Sequence, residues 1–251
     1  TVDDGLGDTM RLMREEMGKH HAEMLNIMLG TQNGSLAGND FESVDRVCGS
    51  YAEITNCKEN DQSTAYTAGD LDIYGLDRDA GASWADAIVL HNSSINRELT
   101  LDLIDQLFQQ VWAAGGLPKV MLTGYDTLRK IQGLLQAQQR FTELRTIVPT
   151  YNGIQGVRGV EAGFTVATYN DVPIIPSKNV VVDSGGISRI YLLDTDYLFL
   201  KIAKPTQYFE AGIDRGDPFA VNRLGTEGMY RTMAELICQR FNIQGKIRDI
   251  R

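Results

Sequence analysis

Several things this sequence lacks narrow what it can be. No apolar run approaches the roughly 20 residues that cross a bilayer, so no membrane span is expected. The three cysteines, Cys48, Cys57 and Cys238, are an odd count and give no disulfide framework. Cys48 and Cys57 do not match zinc-knuckle spacing, so buried free thiols are the expectation. There are only three histidines. His20 and His21 are adjacent, and helix neighbours point about 100° apart, which is poor geometry for sharing a metal. His91 is isolated. No Ser-His-Asp order or G-x-S-x-G elbow can be assembled. Basic charge is also scarce, with 24 Lys+Arg against 33 Asp+Glu and a net charge of −9. That sign argues against a tight nucleic-acid binder. The first residues are acidic, not basic and then apolar, so no secretory signal is read. The expectation is chemical silence: no catalytic residue, no bound metal and no cofactor.

What is present is unevenly spread. Residues 1–90 hold 6 basic against 17 acidic residues, 91–200 hold 9 against 10, and 201–251 hold 9 against 6. An acidic front and a mildly basic tail attract one another within a subunit or between neighbours; solvated surface is the alternative.

Local patterns come next. Met10, Met13, Met17, His21, Met24 and Met28 recur at spacings of three and four, which predicts a helix over 8–29 with Asp8 as N-cap and Gly30 as stop. A methionine stripe is read as a core face, with a partner groove as the alternative. Residues 41–57 read as a helix then a strand, and 58–81 as a polar surface loop or an excursion between domains. Helices are expected over 100–114 and 125–138, on either side of a strand at 119–122. Thr100 caps the first and Gly115-Gly116 ends it. Hairpins are expected for 164–169 with 172–175, and for 187–193 with 197–203 around Asp194-Thr195-Asp196. Residues 229–247 read as one long strand-like run, whose first part also fits a helix.

Three motifs are better read as turns and loops than as chemistry. Gly153, Gly156 and Gly159 resemble a phosphate loop, but a strand follows where such a loop needs a helix. The candidate reading is a subunit-contact loop holding Gly153, Gly156, Arg158, Gly159 and Gly163. Asp183, Asp194 and Asp196 are favoured as turn residues over cation ligands. Arg215-Gly-Asp217 is read as a turn.

Four stretches carry a family resemblance. They are Glu23-Met-Leu-Asn-Ile-Met-Leu-Gly30, residues 99–116, residues 163–178, and Ile190-Tyr-Leu-Leu-Asp-Thr-Asp-Tyr197 continuing into the tract from Pro205. In order and local phrasing the chain resembles major capsid proteins of tailed viruses with the Hong Kong 97 coat-protein fold. The fold implied is α+β. Its peripheral domain holds a long spine helix and long strands; its axial domain is a sheet flanked by helices. By position, residues 1–84 are the first part of the peripheral domain, 85–204 the axial domain and 205–251 the second peripheral part. Members carry an N-terminal arm and an extended loop before the spine helix, whereas here the helix begins almost at once. A trimmed product, a fragment and a variant lacking those parts all fit. No lysine is assigned the crosslinking role that some relatives have.

The resemblance implies a non-enzymatic subunit of an icosahedral shell enclosing a genome. Its expected partner is itself, in hexamers and pentamers. Portal, scaffold or decoration proteins are further partners, packaged DNA is met only indirectly, and no membrane is involved. The implied location is the virion capsid, after assembly in the host cytoplasm. An encapsulin-like compartment shell shares the fold and stands as the alternative. A small-molecule enzyme with an α/β core is a second one, which a deep pocket with convergent polar groups would favour.

Overall fold

The computed structural model describes residues 6–31, 42–67, 69–137, 144–147, 150–151, 154–155, 164–212 and 226–251. Strand β8 (Ile190–Leu193) is buried at all four positions. Successive side chains point to opposite faces of a sheet, so a strand buried throughout lies in a sheet covered on both sides. Seven strands form that sheet. Their spatial order is β1 (Ile88–Leu90), β11 (Gly245–Ile247), β8, β2 (Val120–Thr123), β7 (Val172–Pro176), β6 (Phe164–Tyr169) and β3 (Leu144–Ile147). The β1–β11 and β2–β7 pairs are parallel, the rest antiparallel.

One face is covered by α4 (Leu101–Ala113) and α5 (Tyr125–Ala137). Ile104, Leu107, Phe108, Val111 and Ile131 from the helices pack on Met121, Ile174, Ile190, Leu192 and Ile247 from the sheet. Each such side chain contributes about 1.5–3 kcal/mol when fully buried. The start of α4 follows from its cap, where the Thr100 side chain accepts from the Leu103 N–H at 3.3 Å. It ends before Gly115, whose φ of +81° suits glycine. Asn170 and Asp171, at φ +49° and +65°, make the two-residue turn of the β6–β7 hairpin, a conformation these residue types tolerate.

The second face is covered by two short helices, α2 (Val44–Val47) and α3 (Tyr51–Asn56), and by residues 58–81. Ser43 and Ser50 cap the helices, accepting from Arg46 N–H and Glu53 N–H at 3.2 and 3.3 Å. The strand expected in 41–57 is therefore a second helix. Residues 58–81 are not a surface excursion, since Leu71 and Ile73 are fully buried. Buried Arg78 fastens this segment down. It donates to the carbonyls of Arg46 at 2.6 Å, Leu71 at 2.9 Å, and Val47 and Ala85 at 3.1 Å.

Two long strands leave this body as an antiparallel ribbon, β9 (Leu198–Gly212) and β10 (Thr226–Cys238). The expected pairing of 187–193 with 197–203 does not occur: β8 stays in the sheet and β9 pairs with β10. Asp194 marks the exit, its carboxylate accepting from Leu117 N–H at 3.0 Å and Asp196 N–H at 3.1 Å. The run expected over 229–247 also divides. β10 stops at Cys238, and β11 belongs to the sheet, between β1 and β8. A boundary at residue 205 therefore falls inside β9, and residues 245–247 pair with the sheet rather than with the ribbon.

Candidate subunit-contact layer

Helix α1 (Leu6–Thr31) has 26 residues, about 39 Å at 1.5 Å per residue, and it lies on β10. Gly18, costly in mid-helix by about 1 kcal/mol relative to alanine, leaves room for the Tyr230 ring beside it. The Tyr230 hydroxyl donates to the Arg14 carbonyl at 3.1 Å. His21 Nε2 is 2.8 Å from Thr232 Oγ1, and its ring stacks on Tyr230 with centroids 5.9 Å apart. Arg14 donates to Glu210 at 2.6 Å and sits over the Tyr208 ring. At the far end, Gly30 abuts the Asn179 carbonyl so closely that a Cβ there would lie 1.9 Å from it. Glu23 pairs with Lys178.

The face of α1 turned to the ribbon is thus Arg14, Gly18, His21 and Leu25, all partly buried. Of the expected stripe, Met13, Met17 and Met24 instead face outward, Met13 with 58% of its surface exposed. The ribbon repeats the pattern. Tyr208 and Tyr230 face the helix, while the cross-strand pair Phe209 and Met229, with Met233 beyond, points away into solvent. A two-layer slab therefore shows apolar side chains on both outer faces.

Seven buried ionisable groups anchor the body beneath this slab. Arg189, Lys246 and Arg248 on the second face of the sheet meet Asp45 from α2, Glu53 from α3, and Asp183 and Asp249, all at zero exposure. Arg189 reaches Asp45 at 2.9 Å and Asp183 at 2.6 Å. Glu53 takes Lys246 on one oxygen and Arg248 on the other, both at 2.6 Å. Tyr191 donates to Asp45 at 2.7 Å, and the Asp249 N–H to Asp183 at 2.8 Å. Burial alone would raise the Asp45 pKa. The opposing fields of Arg189 and Lys246 and the hydrogen bonds from Tyr191 and Arg189 outweigh it, and the group is held well below the usual carboxylate range. The cluster fixes α2 and α3 to β8 and β11. The segment so fixed then grips β10. Glu42 N–H donates to the Glu235 carboxylate at 2.8 Å, and the Tyr74 hydroxyl bridges Leu236 O at 2.5 Å and Cys238 N at 2.8 Å.

The expected contact residues Gly153, Gly156, Arg158, Gly159 and Gly163 lie outside the described residues, as does Arg215-Gly-Asp217. Beside that loop, β4 (Thr150–Tyr151) and β5 (Ile154–Gln155) pair antiparallel. Asp183 and Asp194 hold protein donors, and Asp196 pairs with Lys119 at 2.5 Å. A groove of about 520 Å³ lies along α5, lined by Asp126, Arg129, Lys130, Gly133, Leu134 and Ile187. It is open to solvent, and its carboxylate, Asp126, already accepts from the Ser188 N–H and hydroxyl at 2.8 and 2.6 Å.

Residues 7–228 match the family described as SU10 major capsid protein. The chain belongs to the SU10 major capsid protein family. It is a structural capsid subunit, with a Hong Kong 97-like fold. Among solved structures it is similar to a chain of the cyanophage A-1(L) capsid asymmetric unit. That match has 12% identity and a TM-score of 0.55, and covers 93% of this chain and 69% of that one. It is also similar to a chain of the holo-SrpI encapsulin complex from Synechococcus elongatus, at 16% identity and a TM-score of 0.44 over 64% of this chain. The chain spans about half of that encapsulin's length, 52%. No protein of curated function matches the sequence. In this capsid subunit the sequence marked the helix correctly as a long element, while of the ribbon it showed only part of β10 and cut β9 short at residue 203. It misassigned which helix face is covered, because a methionine stripe looks the same whether a core or a neighbour receives it.

Proposed function

We propose that this subunit acts by self-association alone, tiling hexamers and pentamers into a closed icosahedral shell around a genome. The observation that carries the reading is the slab of α1, β9 and β10, which exposes Met13, Met17 and Met24 on one side and Phe209, Met229 and Met233 on the other. Large apolar surface left in solvent is costly at about 25 cal/mol per Å², and contiguous patches mark interaction sites. Two different faces on one slab suit a heterologous contact, repeated by symmetry until it closes.

The proposed division has two parts. The peripheral part is α1 with the β9–β10 ribbon. The axial part is the seven-stranded sheet with α4 and α5, to which residues 239–251 are now added because β11 pairs there. The Gly153–Gly163 loop keeps its place in this proposal as a contact between subunits. The role is non-catalytic, the residence is the virion capsid, and assembly takes place in the host cytoplasm. Portal, scaffold or decoration proteins would be met at the shell. The family match favours a viral shell over a cellular compartment.

Sedimentation across a concentration series tests the reading. Wild-type protein should pass from subunits to large closed particles. Met13→Asp with Met229→Asp, both on exposed positions, should retain the subunit fold by circular dichroism and lose the particles. Particles unaffected by the double change would overturn the slab as the contact layer.

A further inference from the structure

We propose that the exposed methionines of the slab form a modification site, at which hydrogen peroxide converts them to sulfoxides and so blocks assembly of the free subunit. The proposal rests on the capsid-subunit reading above and adds a chemical control to its contact layer. The chain has eight methionines, and their placement is uneven. Five stand in α1 and two in β10, against one, Met121, in β2 of the sheet. Among the described residues, the exposed methionines all belong to the slab. Met13 and Met229 are 58% exposed, Met17 and Met233 38%, and Met24 37%. Met121 is fully buried.

A thioether sulfur needs no ionisation to react, so access decides which methionine is oxidised. The competing sulfur nucleophiles are shielded, since Cys48, Cys57 and Cys238 are all buried. The step needs no cofactor. A sulfur lone pair attacks one peroxide oxygen, an S–O bond forms and the O–O bond breaks. The leaving hydroxide takes the proton of the transferred oxygen and departs as water. Sulfur is oxidised and the peroxide reduced. The product side chain is polar. On a face covered by a neighbour, its new oxygen loses water and meets apolar groups. In the free subunit the same oxygen stays in water, and the fold is unaffected.

One sulfur differs from the rest. Met233 Sδ accepts from Arg231 Nη2 at 3.2 Å, which engages a lone pair and draws electron density from the sulfur. Met233 therefore reacts more slowly than Met17, although the two are equally exposed. The rival reading is that these methionines only fill apolar surface and that their oxidation has no consequence.

Peptide mass spectrometry of free subunits treated with dilute hydrogen peroxide tests the site. Met13 and Met229 should gain oxygen first, Met233 after Met17, and Met121 last. Oxidation of Met121 as fast as Met13 overturns the proposal. Subunits with the slab methionines oxidised should melt like untreated protein, yet need at least about tenfold more protein to assemble. Methionine sulfoxide reductases of both epimer specificities, with dithiothreitol, should restore the untreated value. Oxidised subunits that assemble at the untreated concentration overturn the proposal and leave the capsid reading standing. A loss of assembly that the reductases do not reverse overturns it too. A chain carrying Met13→Leu, Met17→Leu, Met24→Leu, Met229→Leu and Met233→Leu is compared only with itself, with and without peroxide. Its two assembly concentrations should agree, and a gap of about tenfold between them overturns the proposal by placing the sensitive group elsewhere. Untreated wild-type protein that forms no particles counts against the capsid reading itself and removes this control with it.

Discussion

Asp45→Ala should be among the most damaging single substitutions in the subunit. Asp45 Oδ1 receives Arg189 at 2.9 Å, Tyr191 at 2.7 Å and Lys246 at 3.2 Å, and the whole site is sealed from solvent. Removing the carboxylate leaves three buried cations facing three carboxylates, with Arg189 and Lys246 each losing a contact. Breaking a buried pair by deleting one partner costs about 3–5 kcal/mol, against about 0–1 kcal/mol for an exposed pair. For a chain of this size that corresponds to a drop in Tm of about 6–20 °C. The pH dependence follows from the direction of the Asp45 shift. The folded pKa lies below the unfolded one, so the stabilisation is fully present above the unfolded value, about 3.9. It is lost as pH falls through the folded value. The cluster should therefore hold at neutral and mildly acidic pH and weaken only in strong acid. Thermal and urea unfolding of the unassembled subunit, repeated from neutral pH down to about 3, measures both effects. A loss under about 1 kcal/mol, or a wild-type midpoint already falling near neutral pH because of Asp45, would refute the argument.

Gly30→Ala should loosen α1, because the added methyl meets the Asn179 carbonyl. The expected cost is about 1–3 kcal/mol, read by faster proteolysis within residues 6–31. Thr100→Ala should cost about 1 kcal/mol through loss of the α4 cap, visible in urea unfolding with an unchanged slope. Burial pushes the Cys57 and Cys238 thiols up to about 11, so the native subunit at pH 8 should resist iodoacetamide, and unfolding should release full labelling, which intact mass spectrometry counts.

The elements were more legible than their partners. α4 could be read from Leu101, Ile104, Phe108 and Val111 because its spacing, cap and glycine stop all agree, and the β6–β7 turn from Asn170-Asp171. Pairing is non-local and was harder. Residues 187–203 look like a hairpin on either side of Asp194, yet the strands part because β8 is claimed by β2 and β11. The burial of the C-terminal Lys246, Arg248 and Asp249 was not legible, since charged residues are seldom fully buried. They are buried because Asp45 and Glu53, some 200 positions away, supply the matching charges. Residues 58–81 hid in the same way, because their few apolar side chains, Leu71 and Ile73 among them, are held down by the hydrogen bonds of Arg78. The proposed contact surface was half visible. The methionine stripe stood out, but no spacing rule tells a face that meets the protein's own strands from one left for a neighbour.

Electron microscopy of particles formed by the full coding sequence tests the central claim most directly. The account predicts closed shells built from a repeated subunit, with the α1 methionine face and the Phe209–Met229 face both covered by neighbouring copies. Protein that remains monomeric at high concentration, or shells in which both faces stay open to solvent, would contradict it.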